Sequence, residues 1–447
     1  MSCNSILATS VALILSVISS GIFAKNVMTN QAAEQLPTTT KPLTSTPVSP
    51  PLDKMHLNNS NAYALDMLRN FNQASGNNNL IFSPTSLQFL LAILGSASNN
   101  PALLKQLNFA WHEPSTINID TINEQLTLRR QYIDNPLNST HKSSFLTIAN
   151  GLFINIKYHI NPDYKTLIRN YNADIVNLDF TKRNAVATIN NWVSKQAKRQ
   201  IPSIIDKLTN AKSTAMVIVN AIAFEGQWPK GYFNVKHTKP MLFNGLKAKK
   251  SVLTMRQNNL VHYYEDDNLQ AIYLPYEGSQ YSLFVLLPNS KEKDALDNLL
   301  NKLDIDYFNN IHNGFFNPPK GIPYSGTLFL PRFKITYNNQ ELLDQSKQLL
   351  GVDLNVVTNQ EATFNKALLI DKQDANLVVS RMAHKAIIEV NEKGTKAAAI
   401  SAAKLTLTNA QPTRQAVNFT MKVDHPFIYG IIDNQQQLLF LGTVKSL

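Results

Sequence analysis

NEKGTKAAAIS, residues 391–401, is the stretch on which the interpretation of this sequence turns. It follows a run at 385–390 that has the pattern of a strand, and it leads into a polar, turn-like segment at 408–412. It has three consecutive alanines and no helix cap, which predicts an exposed loop. Small side chains in an exposed loop directly after a buried strand need a physical reason.

Residues 395–407 have a period-two pattern, as a strand does. One face is small at first, apolar later and never charged: Thr395, Ala397, Ala399, Ser401, Ala403, Leu405 and Leu407. The other face holds both lysines, Lys396 and Lys404. Such a segment can enter a sheet without burying an unpaired charge, which would be costly. Gly394 suits a hinge because glycine tolerates unusual backbone angles. The residues alone leave a second interpretation open, a plain alanine-rich linker.

The composition is that of an ordinary globular protein, with 44% hydrophobic and 16% charged residues in 447. The net charge of +11 favours anionic partners. The basic clusters are short and lack interleaved aromatics: Arg129-Arg130, Lys198-Arg199, and Lys247 with Lys249-Lys250. We expect them to be solvated, with a polyanion site as the alternative and no specific nucleic-acid partner.

The N-terminus predicts export. Residues 6–24 are apolar and are followed by Lys25, so 1–24 resembles a secretory signal peptide, although no Lys or Arg precedes the apolar run. The alternative is an uncleaved membrane anchor, since the run approaches the ~20 residues that span a bilayer. We expect a secreted or extracellular protein, periplasmic in a Gram-negative host. Cys3, the only cysteine, would leave with the signal, so a large core must replace disulfides.

Residues 25–55 are rich in proline and threonine, which predicts a disordered linker. The rest, 56–447, reads as one integrated domain. Helical spacing of apolar residues marks 62–71, 85–95 and 188–205, whereas strand-like runs dominate after 215. Helices early and strands late predict an α+β fold with large antiparallel or mixed sheets.

Motifs of common catalytic sites are missing. The sequence has no G-x-S-x-G, HExxH, CxxC or phosphate-binding glycine loop. We therefore predict no enzyme activity, no cofactor and no metal.

Seven segments, in the same order as in the family, resemble the serpins, a superfamily of serine protease inhibitors. They are NLIFSPTSL (79–87), ANGLFI (149–154), INNWV (189–193), VNAIAFEGQW (219–228), LPRFKI (330–335), HKAIIEVNEKGTKAAA (384–399) and DHPFIYGI (424–431). The resemblance implies about nine helices around three β-sheets, with a large central mixed sheet and an exposed reactive loop.

The resemblance also implies a suicide mechanism. A protease cleaves the reactive loop and is trapped as an acyl-enzyme, and the cleaved loop enters the central sheet as a new strand. The implied partner is a serine or cysteine protease in a covalent complex; we also expect weak polyanion or glycosaminoglycan binding and a monomer. The alternative is a non-inhibitory serpin acting as carrier, chaperone or polyanion binder.

The resemblance assigns roles to particular residues. The hinge is Gly394, Thr395, Lys396, Ala397, Ala398, Ala399, Ile400 and Ser401. The breach, where the sheet opens, is Glu392, Arg332 and Trp228. The shutter beneath the sheet centre is Ser83, Ser86, Asn220 and His384. The implied reactive bond is Thr408-Asn409, with Leu407, Lys404 and Arg414 as rivals.

Two of these positions depart from the family pattern. Lys396 stands where the family usually has Glu, and Ile400 is larger than usual. Both lie on the outward face of the predicted strand, so we expect little effect.

Overall fold

In the computed structural model the described residues are 53–98, 100–134, 144–208, 211–354, 366–369, 379–395 and 416–447. They belong to one compact unit, Val48–Leu447. The predicted signal peptide and all but the last three residues of the predicted linker lie outside them. Of these three residues, Asp53 caps the first helix through its carboxylate, and Lys54 and Met55 are the first residues of that helix.

The described residues form nine α-helices. These are α1 Lys54–Ser75, α2 Pro84–Ala97, α3 Pro101–Ala110, α4 Ile119–Asp134, α5 Pro162–Arg169, α6 Ala185–Gln196, α7 Ala295–Lys302, α8 Ile305–Phe316 and α9 Ser346–Leu350. Two short 3-10 turns, Val235–His237 and Pro319–Gly321, lie between strands or follow α8.

Strands β1 to β9 are Leu80–Phe82, Ser144–Asn155, His159–Ile160, Ala173–Leu178, Met216–Gln227, Lys239–Asn244, Lys249–Leu260, Tyr263–Glu265 and Leu269–Pro275. Strands β10 to β18 are Tyr281–Pro288, Tyr324–Pro331, Phe333–Asn339, Leu368–Leu369, Val379–Asn391, Gly394–Thr395, Val417–Lys422, Phe427–Asp433 and Leu438–Val444.

Three large sheets organise these strands. The central sheet has the order β12-β14-β15-β5-β2-β4 and is mixed, the core sheet has the order β1-β18-β17-β10-β9-β8, and the four-stranded sheet has the order β16-β11-β7-β6. A separate pair joins β13 to β3. The predicted α+β class, with helices around three sheets and a large central mixed sheet, is confirmed.

Helix α2 shows how the sequence sets local structure. Ser83 is extended and its hydroxyl accepts the backbone N–H of Ser86, while Pro84 occupies the first turn. All fourteen residues of the helix are buried. This helix therefore lies inside the main hydrophobic core, between the core sheet and the central sheet.

Helix α6 is shorter than the sequence predicts. The expected helix over 188–205 ends at Gln196, and Lys198 and Arg199 have φ values of +48° and +62°. Residues 197–205 instead run over the outer face of the central sheet. There Ile201, Ile204 and Ile205 form a second core with strands β5 and β14.

One basic cluster is not solvated. Arg129 and Arg130 are 3% and 4% exposed, so the expectation for them is wrong. Arg129 donates to Ser60 Oγ, Gln88 Oε1 and a backbone carbonyl, and Arg130 pairs with Asp134. These partners take the place of water around the two guanidinium groups. They lie elsewhere in the sequence or four residues away, so the pair Arg129-Arg130 by itself did not reveal that it is buried. Lys198-Arg199, Lys247 and Lys249-Lys250 are exposed.

Candidate functional site

The seam between β14 and β5 is the feature around which the predicted site residues gather. The two strands pair in parallel from Val379↔Met216 to Ile387↔Ala223. Beyond that point β15 separates them. Gly394 and Thr395 pair with Gln227 and Gly226 on one side and with Asn391 and Val390 on the other. The sheet is thus closed along most of the seam and opened at one end by two residues.

This docked hinge differs from the sequence interpretation, which put the whole stretch in an exposed loop. Gly394 has φ +140°, and a Cβ there would lie 2.0 Å from the carbonyl oxygen of Gly226. Only glycine therefore fits this position. The glycine at 226 lies more than 160 residues away, and this close approach was not visible in the local sequence.

Thr395 is completely buried. Its hydroxyl is hydrogen-bonded to that of Tyr276, whose ring stacks on Trp228 with centroids 4.4 Å apart. Burial raises the pKa of Tyr276, so this phenol stays protonated. The first residue of the uncharged face is therefore held in an apolar pocket by one polar contact.

The breach residues come together beside the docked hinge. Arg332 donates to Glu392 Oε1 from Nη2 at 2.6 Å and from Nε at 2.9 Å, and the Thr238 hydroxyl donates to the same oxygen. Burial raises the pKa of Glu392, but the hydrogen bonds from Arg332 and Thr238 outweigh it and hold the pKa below its usual range. Trp228 donates from Nε1 to the Asn391 carbonyl at 2.8 Å.

The shutter residues form one buried network. Asn220 Nδ2 donates to Ser86 Oγ at 2.6 Å and to Asn150 Oδ1 at 2.7 Å. His384 Nδ1 lies 2.6 Å from Asn220 Oδ1. Ser83 reaches the network only as the N-cap that places Ser86.

His384 is neutral in this network. Burial lowers its pKa to about 3. Because Asn220 uses its amide nitrogen on Ser86 and Asn150, its oxygen accepts, so His384 carries its proton on Nδ1. His384 Nε2 has no hydrogen-bond partner among the described residues. His384 and Asn220 are also register partners, so their hydrogen bond spans the seam itself.

Several predicted residues lie outside the described residues: Lys396, Ala397, Ala398, Ala399, Ile400, Ser401, Lys404, Leu407, Thr408, Asn409 and Arg414. Three contributors were missed, namely Thr238, Tyr276 and Asn150. Asn150 stands within a motif quoted above, and a buried polar residue in a strand was an available signal. Among the described residues, no three His, Cys, Asp or Glu side chains could together hold a metal.

Comparisons with known proteins agree with this geometry. The family model Serpin (serine protease inhibitor) matches residues 58–447. The chain is 30% identical to the leukocyte elastase inhibitor of Sus scrofa, over 86% of this chain and 97% of that protein. It resembles the native state of tengpin, a thermophilic serpin, with 25% identity and a TM-score of 0.74 over 90% and 96% of the chains. Native protease nexin-1 with heparin shares the fold, with 22% identity and a TM-score of 0.71 over 88% and 100% of the chains.

The comparisons contradict the predicted location. The alignments with three leukocyte elastase inhibitors, from Sus scrofa, Xenopus laevis and Homo sapiens, each cover 86% of this chain and 97% of the relative. They leave no room for a counterpart of the N-terminal leader, so the predicted secreted, extracellular or periplasmic location is wrong. Within the described residues, no helix is long and apolar enough to cross a bilayer.

Proposed function

Because this chain belongs to the serpin family, we propose that it inhibits a serine or cysteine protease by cleavage and insertion of its own loop. The target cuts near Thr408-Asn409 and is held as an acyl-enzyme, and residues 396–407 then follow Thr395 into the seam between β14 and β5. The protein itself is consumed, so it is not a catalyst.

The observation that carries the proposal is the docked hinge. Gly394 and Thr395 already lie as a strand between β14 and β5, antiparallel to both. The next residues can follow in the same antiparallel direction. Insertion then requires only that β14 and β5 separate where they now pair with each other. The face that begins with buried Thr395 carries no charge down to Leu407, so insertion along it buries no ion.

Extending this register residue by residue gives the proposed product. Lys396 would lie between Glu225 of β5 and Glu389 of β14. Glu389 already pairs with Lys334 at 3.0 Å, so insertion would build a row of alternating charges across the sheet. Lys396 would thus be flanked by two carboxylates in the product, which gives a structural reason for a lysine where the family usually has Glu.

The same extension brings Ser401 between Asn220 and His384. Insertion must break the hydrogen bond between those two side chains, which would leave His384 Nδ1 and Asn220 Oδ1 buried and without a partner. The Ser401 hydroxyl can donate and accept, so it would replace the lost bond on each side.

The alternative function is a non-inhibitory carrier, chaperone or polyanion binder. Protease nexin-1, solved with heparin, supports only the polyanion element of it. The glycine and threonine at 394–395 favour insertion over these roles, because neither residue obstructs the seam. We expect the protein to act as a monomer.

The test is Thr395→Arg, assayed on a protease panel by denaturing gels. Arginine cannot occupy the fully buried Thr395 pocket without stranding its charge, so this variant should be cleaved as a substrate and form at least about tenfold less covalent complex. Thr116→Arg, the same change at an exposed position, is the control. A denaturant-resistant complex of Thr395→Arg at wild-type stoichiometry would refute the mechanism. Mass spectrometry of the released C-terminal peptide identifies the cleaved bond.

A further inference from the structure

The four-stranded sheet contains no carboxylate. Its strands β6, β7, β11 and β16 carry five basic side chains and no Asp or Glu: Lys239, Lys249, Lys250, Arg256 and Lys422. Between Glu225 and Glu265 the chain has seven basic residues and no acidic one: Lys230, Lys236, Lys239, Lys247, Lys249, Lys250 and Arg256. This one segment therefore contributes an excess of positive charge equal to most of the net charge of +11.

Four of these side chains share one exposed face, which we call the basic face: Lys239, Lys250, Arg256 and Lys422. Lys239 is the register partner of Thr254, which lies on the same side of β7 as Lys250 and Arg256 because every second side chain of a strand points the same way. Arg256 is the partner of Phe329, and Phe329 is the partner of Lys422. The Arg256 guanidinium lies 5.7 Å from the Phe329 ring centre, which places both on one side of the sheet.

The basic face has no internal neutralisation. None of its four side chains makes an ion pair with another described residue, whereas Lys291, Lys334 and Arg332 elsewhere each have a carboxylate partner. The charge is therefore directed to solvent or to a partner.

The described chain on both sides of residues 396–415 lies at the four-stranded sheet. Before this segment, Glu392 accepts a hydrogen bond from Thr238, the sequence neighbour of Lys239. After it, the Val417 N–H donates to the Pro323 carbonyl at 2.9 Å, and β16 pairs with β11. Because both flanks lie at this sheet, we expect a protease that engages the segment to lie next to the basic face.

We propose that the basic face is a second contact surface for the target protease, and that it selects proteases whose surface beside the active site is acidic. This inference rests on the proposed inhibitory function. Strand spacings of about 4.8 Å and 3.4 Å per residue give the face about 15 by 20 Å. That is roughly 300 Å², well under the ~800 Å² per partner of a stable interface. The basic face therefore acts by steering association, in addition to the contact that the reactive segment makes.

A sulfated polysaccharide is the competing occupant. The four cations lie on three strands, β6, β7 and β16, so they are spread in two dimensions over the sheet rather than along a line. Half-buried Val252, Thr327 and Phe329 lie among them on the same face. A protein surface with carboxylates around an apolar patch matches this arrangement better than a single linear chain does.

The experiment measures the second-order rate of complex formation for Lys250→Glu/Arg256→Glu against proteases that form a complex with the wild type, among them anionic and cationic trypsin if they react. The matched control is Lys105→Glu/Lys347→Glu, which makes the same change in net charge at exposed positions on α3 and α9. With an acidic protease at 50 mM salt, the first variant should be slower by about tenfold or more. The effect should shrink toward about twofold at 1 M salt, because salt screens exposed charges. The stoichiometry of inhibition and the melting temperature should not change.

Three outcomes separate the possibilities. If no protease forms a complex with the wild type, the proposed function fails and this inference fails with it. If complexes form but both variants react equally fast, the basic face is not a contact surface while the inhibitory function stands. If the rate changes only when heparin is added, the occupant is a polyanion and the protease contact is overturned.

Discussion

Replacement of Gly394 by alanine tests whether the docked hinge is a feature of the uncut protein. The new Cβ would lie 2.0 Å from the carbonyl oxygen of Gly226 and 2.8 Å from the Cα of Gln227, both backbone atoms of β5. Neither atom can move without shifting the strand. The variant is therefore expected to keep the fold and to release residues 394–395 from the seam.

The magnitude follows from what docking contributes. Two residues gain a few ladder hydrogen bonds at about 1 kcal/mol each, and burying the Thr395 methyl adds about 1 kcal/mol. Ordering two residues costs about 1–2 kcal/mol each, which leaves a net gain of only about 1–2 kcal/mol. Alanine at φ +140° costs about 1–3 kcal/mol before the contact with Gly226 is counted. The strain in the docked Gly394→Ala variant therefore exceeds the free energy gained by docking, so residues 394–395 should leave the seam. Because only that small free energy is lost, the melting temperature should change by only a few degrees.

Hydrogen exchange measured by mass spectrometry reads out the docking directly. The amides of residues 394–395 should exchange slowly in the wild type and at close to the unprotected rate in Gly394→Ala. A second readout is the fluorescence of Trp228, which donates to the Asn391 carbonyl and stacks on Tyr276, in a background where the other two tryptophans are phenylalanine.

Gly231→Ala is the matched control. Gly231 also has a positive φ, +77°, but its Cβ would meet nothing within 4 Å. This variant pays for the backbone angle and not for a clash, so it should leave exchange at the hinge unchanged. Wild-type protection of residues 394–395 in Gly394→Ala would show that the close approach to Gly226 does not hold the hinge in place.

Two further predictions concern buried ionisable groups. Burial raises the pKa of Asp433 to about 7, so the folded state keeps a proton that the unfolded chain releases near 3.8, and the contribution of Asp433 to stability falls as pH rises between these values. Asp433→Asn should therefore raise the melting temperature more at pH 8 than at pH 5, and an equal shift at both pH values would contradict this. His384 has the opposite sign: its pKa is lowered to about 3, so its contribution is complete above about 6.5 and is lost as pH falls toward 3. Denaturant titrations should show that His384→Gln removes about 2 kcal/mol of the wild-type loss between pH 6.5 and pH 5, and an unchanged loss would contradict the neutral, buried state.

Much of the architecture was predictable because local signals agreed with it. The Ser83-Pro84 pair marked the start of α2, and strand-like apolar runs marked β5 and β14. The pairing of Glu392 with Arg332 followed from the family resemblance alone. No local pattern in the sequence joins two residues that lie 60 positions apart.

What the sequence did not predict depends on distant partners. Arg129 is buried because Ser60 and Gln88, on two other helices, accept its hydrogens. The docking of Gly394 depends on a second glycine, at 226, in a strand whose own pattern reads as ordinary. Helix periodicity likewise continued past Gln196, and the path of the following isoleucines over the sheet is a tertiary effect.

The shutter and the breach are two parts of one seam, and this constrains how the seam can open. The hinge separates β14 from β5 at Thr395, while the bond between His384 and Asn220 joins the same two strands farther along. Breaking that bond with nothing in its place would leave two buried polar groups unpaired, at about 1–3 kcal/mol each. In the proposed mechanism a cut at Thr408-Asn409 frees one end of the segment that is tied at Thr395 and Val417, so that a new strand can reach this depth. We therefore expect the polar pair in the middle of the sheet to keep the seam closed until cleavage, and to admit a strand that brings a hydroxyl to the same level.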